Sequence, residues 1–576
     1  MTAASHVDIS APARRISFDW SRPVFVLLAL VLLVLVVLPL AWLAYYSVTD
    51  NAGHLTHANY KALFTDATLR RPFVVAITMA LSVGALSCLI ATPLAWIVAR
   101  TDMPGRAIVR GLVTASFVTP PFLGAIAWEI LAAPNSGIIN AIYRWMFNLD
   151  PYEYLVDIYT LTGLVFAISC YTFPYVFTLA ANALERVPTD LEEASSILGG
   201  GLWITVRKIT IPLVLPALLA GSLIAALQAL TMFGSPAILA LPANFHVITT
   251  KIWSLFQYPP KLGLAAAAAM PLLLVTILLL WTQRKILGRR GYTTVGGKSG
   301  TPRVAALGRW RWAALAFTFF VLSLTVLMPY AALVKTALTR TIAEPLTWES
   351  FTLRHVNFVF FEFSATQLAM RNTFLLGIFT ATIGTAIALV VSYLVTRNSV
   401  SGSFVLGYLA TAPVAIPGIV LGVGLFLSYS SPMLPLYGTL WILLIAFLTI
   451  EMPAGYQQLS SAFRSIHVEL EEAGRILGAT RMSTLRTITA PLLRSNVIAT
   501  WCFIFIGTIR ELSATILLTT ADTKLVSVII YDLNESGDLG AISVLGIMLL
   551  VISFAVVFIA NRLPLLGGPR IGLVRG

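Results

Sequence analysis

The sequence predicts an all-α polytopic membrane protein of about twelve transmembrane helices, arranged as two tandem six-helix units that each carry a short cytoplasmic helix. Three observations predict it. The first is composition: of 576 residues 58% are hydrophobic, only 11% are charged, and mean hydropathy is +0.86. Soluble domains carry about 25% charged residues, so a water-soluble fold and a disordered chain are both excluded. The second is run length, since the apolar runs are long enough to cross a bilayer as helices, for which about 20 residues suffice. They are continuous rather than alternating, which excludes a closed barrel. The third is an internal repeat at an offset of 279 residues.

Residues 1–23 form a basic cytoplasmic tail with Arg14, Arg15 and Arg22. The run Val24–Val48 is uncharged over 25 residues, longer than the roughly 7–15 residues of a signal-peptide core, so it is expected to stay as a spanning helix, with an outer loop to residue 72. The first repeated unit, 73–282, holds spans at 73–99, 108–132, 161–184, 212–234 and 262–282. A basic linker, 283–312, follows. A seventh span at 313–337 with an outer loop to 370 leads into the second unit, 371–562, with spans at 371–396, 404–428, 437–458, 491–510 and 541–562. Residues 563–576 form the C-terminal tail.

Lys and Arg set the orientation. From Arg284 to Arg311 the chain holds eight basic residues and no acidic one, which marks a cytoplasmic stretch. An even number of spans then puts both termini in the cytoplasm, and Asp522, Asp532, Glu535 and Asp538 outside. This bias, with some attraction to anionic lipid, accounts for the net charge of +13 without nucleic acid. Cys88, Cys170 and Cys502 are far apart in apolar stretches and give neither a disulfide framework nor metal spacing.

The repeat is sharpest between Leu191–Leu213 and Leu470–Leu492, where 13 of 23 aligned positions are identical. Pro174 and Pro453 keep the same offset, so both units lie the same way up, about an axis along the membrane normal. From Pro121 to Pro174 is 53 positions, whereas from Pro417 to Pro453 is 36. The first unit therefore carries about 17 extra residues outside, around 135–162.

The repeated segment is too polar to span. Leu191, Ala194, Ser195 and Leu198, like Leu470, Ala473, Gly474 and Leu477, fall at i, i+3, i+4 and i+7, one face of a short amphipathic helix. Small residues there permit close approach of a partner. Glu192, Glu193, Glu471 and Glu472 suit the first turn, Gly199 and Gly478 suit a left-handed helix end, and Pro212 and Pro491 suit the start of the next span.

The pattern Glu193-Ala194, Gly199, Ile209, Pro212, and again Glu472-Ala473, Gly478, Ile488, Pro491, resembles the "EAA" loop of permease subunits of bacterial binding-protein-dependent ABC importers of the type I fold. The likeness extends over both units. It implies that Glu193, Ala194 and Gly199, with Glu472, Ala473 and Gly478, belong to coupling helices that dock into separate ATPase subunits, one copy under each. It also implies an external substrate-binding protein and a bacterial inner membrane. Ser195 and Gly474 depart from the family's second Ala, and Ala490 from its Leu, yet the surface stays small or apolar. The chain has no motor of its own: Gly297-Lys298-Ser299 resembles the end of a phosphate loop, but that loop needs Gly at 292, which is Tyr292. ATP is therefore expected to be used by the partner, and no cofactor, catalytic residue or resident metal is expected in this chain.

Charged residues inside spans are path candidates. Glu451, Arg510 and Glu511 have Thr172, Thr231 and Met232 as their first-unit counterparts, so these charges belong to one unit only. Gln228, opposite Gly507 in the repeat, is a further candidate. His54 and His57 lie outside at i, i+3, too few donors for a metal cage. Two fused units of this length resemble the ferric iron permeases, in keeping with Phe173-Pro174-Tyr175, Phe233-Gly234 after Gln228, Arg290-Gly291-Tyr292 to Gly297-Lys298, and Glu511-Leu512-Ser513-Ala514-Thr515. Similar motifs occur in relatives that carry thiamine, aminoethylphosphonate, polyamines or sulfate. A carrier driven by an ion gradient is the alternative of a different class. It needs paired charges at the midplane and gives the duplicated cytoplasmic loop no role.

Overall fold

A computed structural model describes residues 21–50, 52–288, 305–430 and 434–567. The basic tail residues Arg14 and Arg15, the linker residues 289–304 with Gly297 and Lys298, and the last nine residues lie outside the described residues. Among the described residues the chain is helical, with three isolated β-bridges and no named strand. Ten helices are long and apolar enough to cross a membrane, and the number is twelve if each of two bent pairs counts as one span.

The bent pairs correct the expectation of straight helices at 108–132 and 404–428. Arg106–Val118 and Pro121–Ala132 meet at 100°, and Phe404–Ala415 and Gly418–Tyr429 at 108°. The cause is local. Pro120 is extended at φ −58°, ψ 127° and Pro417 at φ −57°, ψ 141°. Each is preceded by an extended residue, Thr119 or Ile416, because the residue before a proline is pushed out of the helical region. The spans expected at 212–234 and 491–510 stop at Thr231 and Ile509, and short helices at Gly234–Leu239 and Thr515–Leu518 follow them.

Each half has the same three-helix centre. Ala67–Arg100, Leu161–Glu185 and Ile211–Thr231 pack together in the first half, and Ser364–Thr396, Leu440–Arg464 and Ala490–Ile509 in the second. Lipid tails are as apolar as these helices, so close packing rather than escape from water holds them. A Cβ on Gly84 would lie 2.9 Å from Ser222 O, whose hydroxyl donates to Gly84 O at 2.8 Å.

The opening helix of each half crosses to the other. Ser21–Ser47 packs on Phe404–Thr411 and Gly418–Tyr429 of the second half as well as on Leu262–Gly288. Its contact with Gly424 is close, since a Cβ there would lie 2.7 Å from Pro39 O. Reciprocally, Met328–Leu338 packs on Pro121–Ala132 of the first half and on Leu539–Gly567. Tyr330 there shares a hydrogen bond with Thr119.

At the end of the Ala67–Arg100 helix the chain meets the far end of the linker. Ala305 N donates to Arg100 O at 2.8 Å, Asp102 N to Ala305 O at 3.2 Å, and Leu307 N to the Asp102 carboxylate at 2.9 Å. The backbone bond from Leu307, then Arg311 3.4 Å away, hold the Asp102 carboxyl below its ordinary range. The additional residues of the first half between Pro121 and Pro174 include the helix Ile138–Phe147. Asn140 ties it down, donating to Ala133 O and Val156 O and accepting from Leu155 N and Val156 N.

Candidate functional site: two clasped helices and a charged seam

The repeated segments form Thr189–Ile197 and Val468–Ile476, each nine residues long. Their carboxylates sit in the first turn, where the helix dipole favours them. Glu192 pairs with Arg100, whose side chain is 3% exposed, and accepts from Thr210 Oγ1 at 3.2 Å. Glu471 repeats the arrangement, accepting from Arg397 Nε at 3.1 Å, Nη2 at 3.0 Å and Thr489 Oγ1 at 3.1 Å. Each short helix is thus clasped to the end of one span by an arginine and to the start of another by a threonine.

The residues singled out from sequence point the other way. Glu193, Ala194 and Gly199, and Glu472, Ala473 and Gly478, are exposed. Gly199 and Gly478 have φ of +80° and +85° with open space around them, as a left-handed helix end requires. They turn the chain directly after an apolar tip: Ile197 and Leu198 are 86% and 85% exposed, Ile476 and Leu477 85% and 88%. The expected single apolar face is split, however. Ser195 turns inward, with its hydroxyl 2.8 Å from Thr205 Oγ1, and a Cβ on Gly474 would lie 2.9 Å from Ile488 Cδ1. The small residues at these two positions seat the helix on its own chain. Leu191, Ala194 and Leu198 remain outside.

Each helix connects to the next span through a π-helical elbow, Val206–Thr210 and Leu485–Thr489. Pro212 and Pro491 follow one residue later, after Ile211 and Ala490. A proline ring crowds the carbonyl four residues back, here Lys208 and Thr487, and the wider turn relieves that contact.

The second group lies where the halves meet. Arg510, just past the Ala490–Ile509 helix, donates to Phe117 O of the first half at 3.2 Å and lies 6.0 Å from the centre of the Phe117 ring. Phe117 packs edge-on against Tyr175 at 5.0 Å. Glu451 is buried within the Leu440–Arg464 helix, in Coulombic range of Arg510 and Glu511. Its carboxylate fills the place a side chain at Gly507 would take. Glu511 faces its own chain. It accepts from Ala514 N at 3.1 Å and from Thr515 N at 3.2 Å and Oγ1 at 2.8 Å, and so caps the Thr515–Leu518 turn. Gln228 is half-buried near the end of the equivalent first-half helix. Also between the halves, Phe233, Trp253 and Tyr531 bring three rings within 6.0 Å of one another. His54 pairs with Asp50 at 3.7 Å on the surface.

Sequence reasoning missed Arg100, Arg397, Thr210 and Thr489. The threonines were visible as identities in the repeat. The arginines were not, because their offset is 297 rather than 279: the first half's insertion lies between them and the repeated segment. Tyr175 and Phe117 carried no signal of their own beyond the Phe173-Pro174-Tyr175 motif.

The family model for the binding-protein-dependent transport system inner membrane component matches residues 91–291 and 382–564. The chain is 26% identical over 450 residues to a ferric transport system permease protein, FbpB, of Actinobacillus pleuropneumoniae, covering 76% of this chain and 63% of that one. It is 26% identical over 415 residues to a putative ferric transport system permease protein, FbpB 1, of Haemophilus influenzae, covering 71% and 63%. This chain thus spans 63% of the length of those two relatives. A Fe(3+)-transport system permease protein of the same organism, FbpB 2, is 23% identical over 483 residues, covering 84% and 87%. Among solved structures, a bacterial alginate ABC transporter in complex with an alginate-bound periplasmic protein aligns with a TM-score of 0.40 and 18% identity, covering 48% of this chain and 97% of that one.

Proposed function

The chain belongs to the family of binding-protein-dependent transport system inner membrane components, and on that premise we propose that it is the permease of an ATP-driven importer that carries ferric iron into the cell. The observation that carries this reading is the pair of clasped helices, Thr189–Ile197 and Val468–Ile476, each presenting an exposed Ile–Leu tip. Exposed apolar tips of this kind, rimmed by carboxylates, suit a docking partner. The partner is a separate ATPase subunit, present in two copies on the cytoplasmic side with both chain termini. ATP is used there and not in this chain. A substrate-binding protein delivers cargo from outside. The names of the relatives support ferric iron as the cargo.

The clasp gives the docking helices mechanical meaning. Force on Thr189–Ile197 passes through Glu192 to Arg100 and Thr210, hence to two of the three central helices of the first half. Glu471 does the same in the second half. Closure of an ATPase dimer would then rotate both halves together, opening and closing the seam at Arg510, Phe117, Tyr175 and Glu451. Unlike Glu511, which is committed to capping a turn, Glu451 and Arg510 are the charges left to meet cargo.

The test is uptake of radiolabelled ferric iron by iron-starved cells lacking the chain, with and without its return. Restored uptake that is abolished by Gly199→Trp with Gly478→Trp, while the protein stays in the membrane, supports both cargo and docking. Unchanged iron uptake removes iron as cargo and leaves the permease role standing. Surviving transport in the double variant would overturn the docking assignment.

A further inference from the structure

We propose that the first half holds one membrane phospholipid at the end of its spans that carries the Thr189–Ile197 helix, with an acyl chain in an apolar cavity and an anionic headgroup against Arg207 and Lys208. The cavity measures about 340 Å³ and is lined by Trp96, Leu184, Trp203, Val206 and Leu218, with Ala180 at its back. Its walls belong to the last turns of Ala67–Arg100 and Leu161–Glu185 and to the elbow and first turns of the next span. It therefore lies at the bilayer surface. Trp203 at its mouth is 71% exposed, and tryptophans at the ends of spans sit at the headgroup level.

The second half carries larger side chains at two of the equivalent positions. At the repeat offset Ala180 and Leu184 become Leu459 and Phe463. Phe463 is fully buried, 5.9 Å from the Tyr393 ring and 5.9 Å from the Arg397 guanidinium. In the first half the smaller Ala180 and Leu184 border an open cavity. Water has no polar partners in an apolar cavity, and the fluid at its mouth is lipid.

Charge selects the lipid class. A second cavity of about 390 Å³ shares Trp96, Val206 and Thr210 with the first and adds Arg100, Glu192 and Thr205. Arg100 and Glu192 neutralise each other there. Further positive charge is on the elbow itself, at exposed Arg207 and Lys208, next in sequence to the cavity wall residue Val206. Basic residues at this depth favour anionic headgroups. A lipid lodged there braces the elbow that joins the docking helix to its span, in one half only.

The full-length protein, reconstituted in nanodiscs of phosphatidylcholine with phosphatidylglycerol and then released for native mass spectrometry, tests this. The wild type should retain one phosphatidylglycerol through delipidation. Ala180→Leu with Leu184→Phe, which installs the second half's residues, should lose it. Leu184→Phe alone serves if the double variant fails to fold. Arg207→Gln with Lys208→Gln should keep the cavity but reduce the preference for phosphatidylglycerol over phosphatidylcholine by about tenfold or more. A wild type that retains no lipid, or filled variants that retain it equally, would overturn the site, and an unchanged preference in the charge variant would overturn the headgroup assignment. The inference needs only that the chain spans the membrane, so its failure leaves the importer reading intact.

Discussion

Glu192 and Glu193 are neighbours of identical type, both repeated in the second half, yet their surroundings are opposite. Glu192 and Glu471 are clasped by arginine and threonine, whereas Glu193 and Glu472 face outward. Removing one partner of a buried ion pair leaves the other charge uncompensated, at a cost of about 3 kcal/mol or more. Arg397→Ala should therefore lower thermal stability measurably and abolish transport, while Glu472→Gln should leave the unfolding temperature unchanged, and a calorimetric scan of the two variants separates them. The repeat made both glutamates visible in sequence, but which of them anchors was not, because the arginines that decide it sit on a different offset. Gly507 gives a second prediction at this scale. A methyl group there collides with the Glu451 carboxylate, and overpacking of this kind costs about 1–3 kcal/mol. Gly507→Ala should be destabilising alone and much less so with Glu451→Ala, a coupling that a double-mutant cycle measures.

Among elements, the helices were legible because a run of apolar residues has only one way to satisfy its backbone in lipid. The bends at Pro120 and Pro417 were present in the residues, yet a hydropathy window averages across them. The short helices Thr189–Ile197 and Val468–Ile476 lie where the repeat's periodicity put them, but the direction of Ser195 and Gly474 was not legible, since periodicity cannot say which of two adjacent positions meets the chain's own elbow. The joint between the linker and the Ala67–Arg100 helix left no signal at all, because it consists of two backbone bonds through Ala305 and one from the Leu307 amide to the Asp102 carboxylate, 205 residues away in the chain. Asp102 has its carboxyl lowered in the folded chain. Its contribution is present above the ordinary carboxylate range and is lost as pH falls through the lowered value. Exchange protection of the Leu307 amide should accordingly persist on mild acidification, collapse at lower pH, and be weak at every pH in Asp102→Asn.

For the whole molecule, the two-unit organisation follows from the repeat, and the family match over both units agrees with it. The exchange of opening helices was not legible, because a uniformly apolar helix such as Ser21–Ser47 reports that it is buried in something apolar and not in what. The exchange predicts that the halves recognise each other without a covalent joint. Residues 1–288 and 289–576 made as separate chains should reassemble and restore uptake together, with neither active alone. Failure to co-purify would show the linker to be essential for assembly.

The same exchange sets a schedule for synthesis. Ser21–Ser47 leaves the ribosome long before Phe404–Thr411 and Gly418–Tyr429, the second-half helices it packs against, exist. At about 5–20 residues per second the wait is roughly 20–70 s. Throughout that interval the first helix stands in the bilayer with part of its final binding surface facing lipid, and for the last third of it the rest of its own half has already been made. Nascent chains arrested between the two halves should therefore be the stage at which this protein is most easily lost to quality control.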